Sequence, residues 1–324
     1  MKISVIIPVY QAEKTIEKCL DSLLKNDFFD YEIILINDGS SDGSWLILEK
    51  YQKKYSERIR IFNQINQGVA KTRNRGILLA QGEWVMFVDG DDYIKEDYLK
   101  TFYTEACKKK ADAVFGGYVR TDGQKALFIQ SLKLTEWSKY IVMAPWAKIY
   151  RRDFLIKNEI KFLDNNIGED VYFNLQVINF SDRIFTFNYL GYYWFFNPVS
   201  VSNTSQKNLK NGLQVEYLLS NCYIKLKERG VLNKKEVEYF FLRYVVWYLL
   251  FASRGTNWDI VKQELGKLTN WLSEHFPLFL KNSLLSPFCP AGENWKNRWI
   301  VWFFWRVLYQ FGGLKLFLKF YRRG

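Results

Sequence analysis

Three carboxylates stand in four consecutive positions at Asp89-Gly90-Asp91-Asp92, directly after the apolar segment 84–88. Carboxylates this close together repel one another unless a cation lies among them. Hard oxygen ligands suit Mg²⁺ or Mn²⁺, which bind a few carboxylates together with the phosphates of a substrate. All three aspartates are therefore candidate metal ligands. The alternative interpretation is a solvated acidic turn that caps a helix beginning near Lys95.

A fourth carboxylate, Asp38, follows another apolar segment, in the turn Asn37-Asp38-Gly39-Ser40. Acidic side chains at such strand ends accept hydrogen bonds from the base or ribose in nucleotide-binding folds. Asp38 is therefore a candidate nucleotide contact. An Asx turn, in which the carboxylate bonds nearby backbone, explains the same residue equally well.

A basic segment follows Asn66-Gln67-Gly68, with Lys71, Arg73 and Arg75 in the opening turns of a predicted helix. Cations at the start of a helix oppose its dipole. A bound anion would compensate for that arrangement, because helix N-termini bind anions through their backbone N–H groups. A solvated basic face is the other interpretation.

These polar segments all follow strand-like stretches. The predicted strands cover residues 3–7, 31–36, 58–62 and 84–88, and the predicted helices cover 13–25, the stretch from Asp42 or Ser44 to 55, and 69–80. Apolar strands that alternate with amphipathic helices predict a parallel sheet covered on both faces. Since such sheets bind ligands at the carboxyl ends of their strands, the polar turns are expected to form one site.

The chain changes character near residue 205. Residues 121–205 show short strands and loops, and from Lys207 onward the pattern is helical, with one helix around 217–226 and another over 239–251. We therefore predict a catalytic domain over residues 1–205 and a helical C-terminal region over 206–324.

The motifs resemble those of the family-2 glycosyltransferases of the GT-A fold. Four of them occur in the family's order and spacing: Val5-Ile6-Ile7-Pro8-Val9-Tyr10, Ile36-Asn37-Asp38-Gly39-Ser40-Ser41-Asp42, Asn66-Gln67-Gly68 with Arg73-Asn74-x-Gly76, and Phe87-Val88-Asp89-Gly90-Asp91-Asp92. The similarity continues through Pro145-Trp146-x-Lys148-x-Tyr150-Arg151-Arg152, Gly168-Glu169-Asp170 and Asn197-x-x-Ser200-x-Ser202. It implies an α/β fold with a Rossmann-like, mostly parallel sheet, as in bacterial enzymes that build capsule, exopolysaccharide or wall glycans.

The resemblance also implies an activity. This is inverting transfer of a sugar from a nucleotide-sugar, a UDP-sugar, to a hydroxyl of a glycan or lipid-linked glycan. Asp170 would be the general base, and Mn²⁺ or Mg²⁺ on Asp91, with Asp89 or Asp92, would neutralise the departing diphosphate. The expected nucleotide contacts are Pro8, Val9, Tyr10, Asp38, Asn66, Gly68, Arg73 and Asp89.

Two positions depart from the family pattern. Gln11 stands where Asn is usual, which affects a loop contact. The aromatic run 192–195 stands where many relatives place an Arg, so we expect either a cation from elsewhere or a more apolar acceptor site.

The net charge of +12 implies an acidic partner, which a phosphate-bearing substrate or an anionic membrane provides. No motif of the common RNA-binding modules is present, so no nucleic-acid partner is expected. The four cysteines (Cys19, Cys107, Cys222 and Cys289) form no CxxC pair, and His275 is the single histidine. Zinc and disulfide frameworks are therefore not expected.

The last 30 residues mix aromatic with basic side chains. The aromatic ones are Trp295, Trp299, Trp302, Phe303, Phe304, Trp305, Phe311, Phe317 and Phe320, and the basic ones are Lys296, Arg298, Arg306, Lys315, Lys319, Arg322 and Arg323. This composition favours a helix at an anionic membrane surface. A core-packed helix pair and a homodimer interface are the alternatives.

The sequence shows neither a signal peptide nor an apolar run of the ~20 residues that a spanning helix needs. We therefore expect a cytoplasmic protein attached peripherally to the inner face of the membrane. Two other functions use the same kind of fold: a catalytically inactive glycan-binding scaffold, and a nucleotidyltransferase. The second would typically carry a Gly-rich, Lys-containing loop after the first strand, where this chain has Pro8-Val9-Tyr10-Gln11.

Overall fold

A computed structural model of the protein describes residues 1–165, 167–196 and 215–322. The chain divides into two compact units, one of Met1–Leu134 with Val142–Asn197 and the other of Thr135–Ile141 with Pro198–Gly324. The short segment Thr135–Ile141 belongs to the second unit, which the sequence did not indicate. The predicted boundary near residue 205 and the motif at 197–202 lie outside the described residues and stay predictions.

The first unit begins with alternating strands and helices. They are β1 (Ile3–Val9), α1 (Ile16–Leu24), β2 (Tyr31–Asp38), α2 (Ser44–Lys54), β3 (Ile59–Gln64), α3 (Val69–Leu79), β4 (Trp84–Phe87), β5 (Tyr93–Ile94) and α4 (Tyr98–Lys109). Every residue of β2 and all but one of β1 are buried, as strands covered by helices on both faces require. The predicted strands and helices of this stretch are confirmed, with shifts of a few residues at their ends.

The rest of the first unit is more regular than the sequence indicated. It contains β6 (Ala113–Thr121), β7 (Ala126–Gln130), β8 (Lys148–Arg151), α5 (Arg152–Lys157), α6 (Glu169–Asn179) and β9 (Ile184–Phe195). In α6 all residues from Val171 to Asn179 are buried. A helix buried on every side lacks the polar stripe by which a surface helix is recognised, which explains why the sequence pattern missed α6.

The strands form a single mixed sheet in the order β3-β2-β1-β4-β8-β6-β9-β5, with β7 beside β6. The pairings among β1, β2, β3 and β4 are parallel, as is that of β6 with β9. β8 runs antiparallel to both β4 and β6. This architecture confirms the predicted α/β class, and it places the carboxyl ends of β1, β2 and β4 at one edge.

The second unit is helical. It contains α7 (Val215–Glu228), α8 (Lys235–Ala252), α9 (Trp258–His275), α10 (Trp295–Trp302), a π-helical segment Phe303–Tyr309 and α11 (Leu314–Tyr321). Trp305 is fully buried and its Nε1 donates to the Leu242 carbonyl at 3.2 Å. The aromatic tail therefore contributes to the core of this unit. Within the described ranges, every helix falls short of the length and apolarity that a bilayer crossing requires.

Candidate active site

Asp38, at the end of β2, organises the loop that begins α3. Its carboxylate accepts hydrogen bonds from the backbone N–H groups of Gln67 and Gly68, at 2.8 and 2.9 Å, and from Nε2 of Gln64 at 2.8 Å. Gly68 has a φ of 87°, a backbone conformation that favours glycine. Asp38 therefore fixes the backbone of Gly68, another predicted nucleotide contact, and of Gln67, which follows the predicted contact Asn66.

The segment after β1 lies next to this loop. Pro8 is half-buried, Val9 is buried, and Tyr10 is exposed over more than half of its surface. Gln11, at a φ of 51°, donates through its backbone N–H to the Ser40 hydroxyl and through Nε2 to that of Ser41. The side chain that departs from the family pattern is therefore used to join the β1 and β2 turns.

The acidic turn after β4 separates its aspartates. The Asp92 carboxylate is buried, and its two oxygens accept hydrogen bonds from the Tyr192 hydroxyl and the Phe195 backbone N–H, both on β9. The Tyr192 hydroxyl also accepts the backbone N–H of Asp89 at 3.2 Å. Asp92 thus anchors the turn to β9, while Asp91 is half-buried and is held by no side-chain hydrogen bond among the described residues.

Arg73 joins the acidic turn to the start of α6. Its buried guanidinium lies 2.8 Å from Asp89, 2.8 Å from Asp170 and 3.6 Å from Glu169. The anion predicted at the basic helix therefore includes the protein's own carboxylates. Lys71 and Arg75 point to other partners, Asp164 and Gln64 respectively.

These contacts shift the protonation of the site. Burial raises the pKa of Asp170 to about 8, with Arg73 opposing the rise and Glu169 and Asp89 adding to it. Burial, with the adjacent Asp89, raises the pKa of Asp91 to about 6. Burial works against the positive charge of Arg73, but its three carboxylate partners outweigh it and raise the pKa of the guanidinium. These surroundings favour the protonated form of the Asp170 carboxyl. They also favour a bound cation beside Asp91.

A clamp that the sequence did not indicate lies beside Asp170. Four consecutive backbone carbonyls, from Val142 to Pro145, accept hydrogen bonds from three side chains. Lys148 Nζ donates to Val142 and Ala144, Asn174 Nδ2 to Met143 at 2.7 Å, and Tyr150 Oη to Pro145 at 2.9 Å. Asn174 also donates to the Asp170 backbone carbonyl at 3.0 Å, so the clamp joins this segment to the first turn of α6.

Lys148 is the cation of the clamp, and it is fully buried. Burial lowers the pKa of its ammonium to about 7, and the charge of Asp170 opposes that fall. The clamped segment leads into Trp146, which stacks on Tyr192 with ring centroids 4.6 Å apart. Tyr192 in turn contacts the acidic turn, so the clamp, the turn and α6 form one connected wall.

A sequence model of Glycosyl transferase family 2 matches residues 4–165 of this chain. The chain belongs to that family. The uncharacterized glycosyltransferase EpsJ of Bacillus subtilis is 32% identical over 281 residues, which cover 81% of this chain and 81% of EpsJ. The family-2 resemblance of the motifs is thereby confirmed.

One further relative of this family-2 glycosyltransferase and two solved structures of the same fold carry chemical information in their names. The poly(ribitol-phosphate) beta-N-acetylglucosaminyltransferase TarS of Staphylococcus aureus is 31% identical over 60% of this chain and 35% of TarS. The structure of TarS residues 1–349 with UDP-GlcNAc has a TM-score of 0.74 at 22% identity, covering 96% of this chain and 92% of that one. The mannosyltransferase PcManGT of Pyrobaculum calidifontis, solved with GDP-Man and Mn²⁺, has a TM-score of 0.50 at 14% identity, covering 99% and 85%. Both structures share the fold of this chain.

The family-2 site has carboxylate oxygens that suit a divalent cation. Among the described residues, no group of three or more His, Cys, Asp or Glu side chains is arranged to hold a metal. Mg²⁺ and Mn²⁺ in phosphate sites need only one or two carboxylates, because the substrate supplies further oxygens. Asp91, with its raised pKa and the nearby Asp89, fits that smaller requirement, whereas both oxygens of Asp92 are already used.

Proposed function

We propose that this glycosyltransferase is an inverting, metal-dependent enzyme of bacterial surface polysaccharide synthesis. It transfers a sugar from a UDP-sugar to a hydroxyl of a glycan or lipid-linked glycan acceptor. The observation that carries the proposal is the Arg73 bridge, since it holds Asp170 and the acidic turn of Asp89 around one guanidinium. The donor and acceptor named for TarS support the substrate classes.

In this mechanism Asp170 is the general base. Its carboxylate removes the proton from the acceptor hydroxyl as that oxygen attacks the anomeric carbon. The bond between the anomeric carbon and the diphosphate oxygen breaks at the same time, and the nucleoside diphosphate leaves with the electron pair. A single displacement of this kind inverts the anomeric configuration. Mn²⁺ or Mg²⁺ on Asp91 and Asp89 would supply positive charge for the diphosphate.

The nucleoside would lie over the ends of β1 and β2. An ionised carboxylate has about four acceptor sites, and three donors already use Asp38. One site therefore stays available for the base or ribose, while Pro8, Val9 and Tyr10 line the other side. Asn66 and Gly68 would contact the nucleotide from the loop that Asp38 holds. Arg73 supports the diphosphate side through Asp89.

The test of the proposed function is a screen of sugar nucleotides with Mn²⁺ present. We expect the purified enzyme to release UDP from one UDP-sugar, slowly with water and faster when the acceptor glycan is added. The NMR coupling of the product's anomeric proton then reports inversion. Release of diphosphate from a nucleoside triphosphate would instead identify a nucleotidyltransferase. Binding of glycan without turnover of any donor would identify an inactive scaffold.

Lys148 and Glu169 provide a test of Asp170 through the pH profile. Lys148 favours the ionised form of Asp170 and Glu169 disfavours it. The variant Lys148→Met removes the cation and is expected to raise the pKa of Asp170. The acidic limb of the pH profile, in which activity falls because Asp170 becomes protonated, should therefore move to a higher pH. Glu169→Gln is expected to shift the same limb to a lower pH.

The readout is kcat/KM for the acceptor between pH 5 and 9. Lys148→Arg retains the charge and serves as the control for the clamp. If Lys148→Met acts only because the carbonyl contacts of Lys148 are lost, the rate changes but the acidic limb of the pH profile does not move. Shifts of both variants in one direction, or of neither, contradict the assignment of Asp170.

We also propose peripheral attachment to an anionic membrane through the tail. Two of its aromatic residues, Phe304 and Trp305, are buried, whereas its three most exposed ones, Trp295, Phe311 and Phe320, are each at least 60% exposed. Exposed aromatic side chains bind at the headgroup level, and each nearby Lys or Arg adds ~1 kcal/mol at an anionic surface. Deletion of the tail would remove core residues of the helical unit, so substitutions of the exposed set are the sharper test.

In vesicle flotation, the triple variant Trp295→Ser, Phe311→Ser, Phe320→Ser is expected to lose membrane binding and to stay in the unbound fraction. Its affinity for UDP should not change. The matched control replaces three exposed apolar residues of the first unit, Phe29, Leu46 and Leu78, and is expected to float like the wild type. Binding of the wild type should weaken at high salt, because surface charges are screened within ~8 Å at physiological ionic strength. A wild-type protein that stays unbound at low salt would indicate a packing or dimerisation role for the tail.

A further inference from the structure

The helical unit contains a cavity of about 230 Å³ whose lining includes none of the candidate active-site residues. Residues of α8, α10 and α11 line it. Pockets for whole drug-sized molecules are ~300–1,000 Å³, so this cavity would hold one chain or one end of a larger ligand.

The interior of the cavity is apolar. Val246 and Val301 are buried in its wall, and Leu250 lies beside them. Trp247 and Phe251 form a parallel stacked pair with centroids 5.5 Å apart. Trp247 remains 43% exposed, which makes it part of the rim. A flat aromatic wall with aliphatic neighbours suits a hydrocarbon chain, because burial of apolar surface is its main source of affinity.

Two arginines border the cavity, Arg243 and Arg254. They differ in whether a carboxylate of the described residues neutralises their charge. Arg243 lies 2.6 Å from Glu293, whose carboxylate also accepts hydrogen bonds from Trp137 and Asn297. Burial disfavours the charge of Glu293, but Arg243 and these donors outweigh that effect and lower its pKa. The Glu293 carboxylate therefore stays ionised and neutralises Arg243.

Arg254 has no such counterion. Its Nε and one Nη donate to the Tyr321 hydroxyl at 3.1 and 2.8 Å, and this partner is neutral. No carboxylate of the described part of the chain forms an ion pair with Arg254. The Tyr321 contact fixes the guanidinium plane, and donors of the other Nη remain for a ligand, since a guanidinium carries five N–H donors.

An oriented, exposed cation thus stands at the mouth of an apolar cavity. The complementary molecule has an anionic head and a hydrocarbon chain. Arg is well suited to such a head because its planar fork matches phosphate oxygens. We propose that this cavity binds a phosphate-headed lipid, with the phosphate on Arg254 and the first part of a chain against Trp247 and Phe251.

This site is saturable and differs from general adsorption to a charged surface. The experiment uses the full chain and isothermal titration with three probes: octyl phosphate, octanol and inorganic phosphate. We expect octyl phosphate, below its micelle concentration, to bind at one site at least tenfold more tightly than either other probe. Equal binding of inorganic phosphate would mean a simple anion site, and equal binding of octanol would mean a simple apolar one. Either result overturns the proposal.

The variant Arg254→Gln keeps a hydrogen-bonding side chain and removes the charge. It is expected to weaken octyl phosphate binding at least tenfold and to leave octanol binding unchanged. Lys262→Ala, which removes an exposed cation of the same unit, is the matched control and should bind like the wild type. The exposed-aromatic triple variant of the tail should also retain octyl phosphate binding. Wild-type affinity in Arg254→Gln, or loss of affinity in Lys262→Ala, contradicts the assignment.

Discussion

Replacing Asp170 with asparagine is expected to lower kcat about 10²–10⁴-fold, the usual contribution of general acid–base catalysis. Affinity for the UDP-sugar should stay nearly unchanged, because the base acts on the acceptor hydroxyl and not on the donor. Asparagine keeps one acceptor oxygen for the Arg73 guanidinium, now 2.8 Å from Asp170. The bridge to Asp89 therefore survives the substitution.

The measurement combines single-turnover transfer with calorimetry of UDP-sugar binding. Asp164→Asn is the matched control, since it removes an exposed carboxylate that pairs with Lys71 at 2.8 Å just before α6. Its turnover should equal that of the wild type. If Asp170→Asn loses donor affinity together with activity, Asp170 belongs to the nucleotide site. If it retains activity, Glu169 becomes the candidate base.

The strand ends were predictable from the sequence because their signals are local. A buried apolar strand followed by a polar turn identifies both the strand and the edge of the sheet at which ligands bind. Asp38, Asp89 and Asp91 were found in this way. The contacts of Asp38 were not found, since its N–H donors lie about 30 residues further along and carry no side-chain signature.

For Arg73 the local sequence pattern predicted the kind of partner, an anion, but not the residues that supply it. Its position at a helix start predicted an anion, and three carboxylates of the protein pair with it. One of them, Asp170, lies 97 positions away in α6. The burial of α6 on all sides hid that helix, and with it the route from Arg73 to Asp170. Lys148 appeared only as a member of the motif over 145–152, and its role was equally hidden, because its partners are backbone carbonyls, which leave no trace in residue types.

Spacing alone also could not rank the three aspartates of the acidic turn. Successive residues of a turn point in different directions, and the pairing of β9 decides which one is taken. Asp92 points at Tyr192 and Phe195. The pKa of Asp91 is raised, and a bound cation would stabilise the ionised form of such a carboxylate.

Asp91→Asn is therefore expected to lower turnover by two orders of magnitude or more. A catalytic metal contributes several kcal/mol of charge stabilisation, and each ~1.4 kcal/mol corresponds to about a tenfold rate change. The fold should not suffer. Since the pKa of Asp91 is raised to about 6, folding favours its protonated form, and above that pH the ionised side chain opposes folding. The neutral amide removes that cost, so the Tm at pH 7.5 should stay equal or rise.

The decisive comparison is the thermal shift on adding Mn²⁺ with UDP. Ligands that bind only the folded state raise its stability by mass action, so the wild type should gain in Tm and lose that gain in excess EDTA. Asp91→Asn should show little gain even though its starting Tm is as high. Asp27→Asn, which removes an exposed carboxylate paired with Lys100, should respond like the wild type. Full wild-type turnover in EDTA, or an unchanged Mn²⁺-dependent shift in Asp91→Asn, would remove the metal from this mechanism and leave Asp91 as a surface carboxylate of the turn.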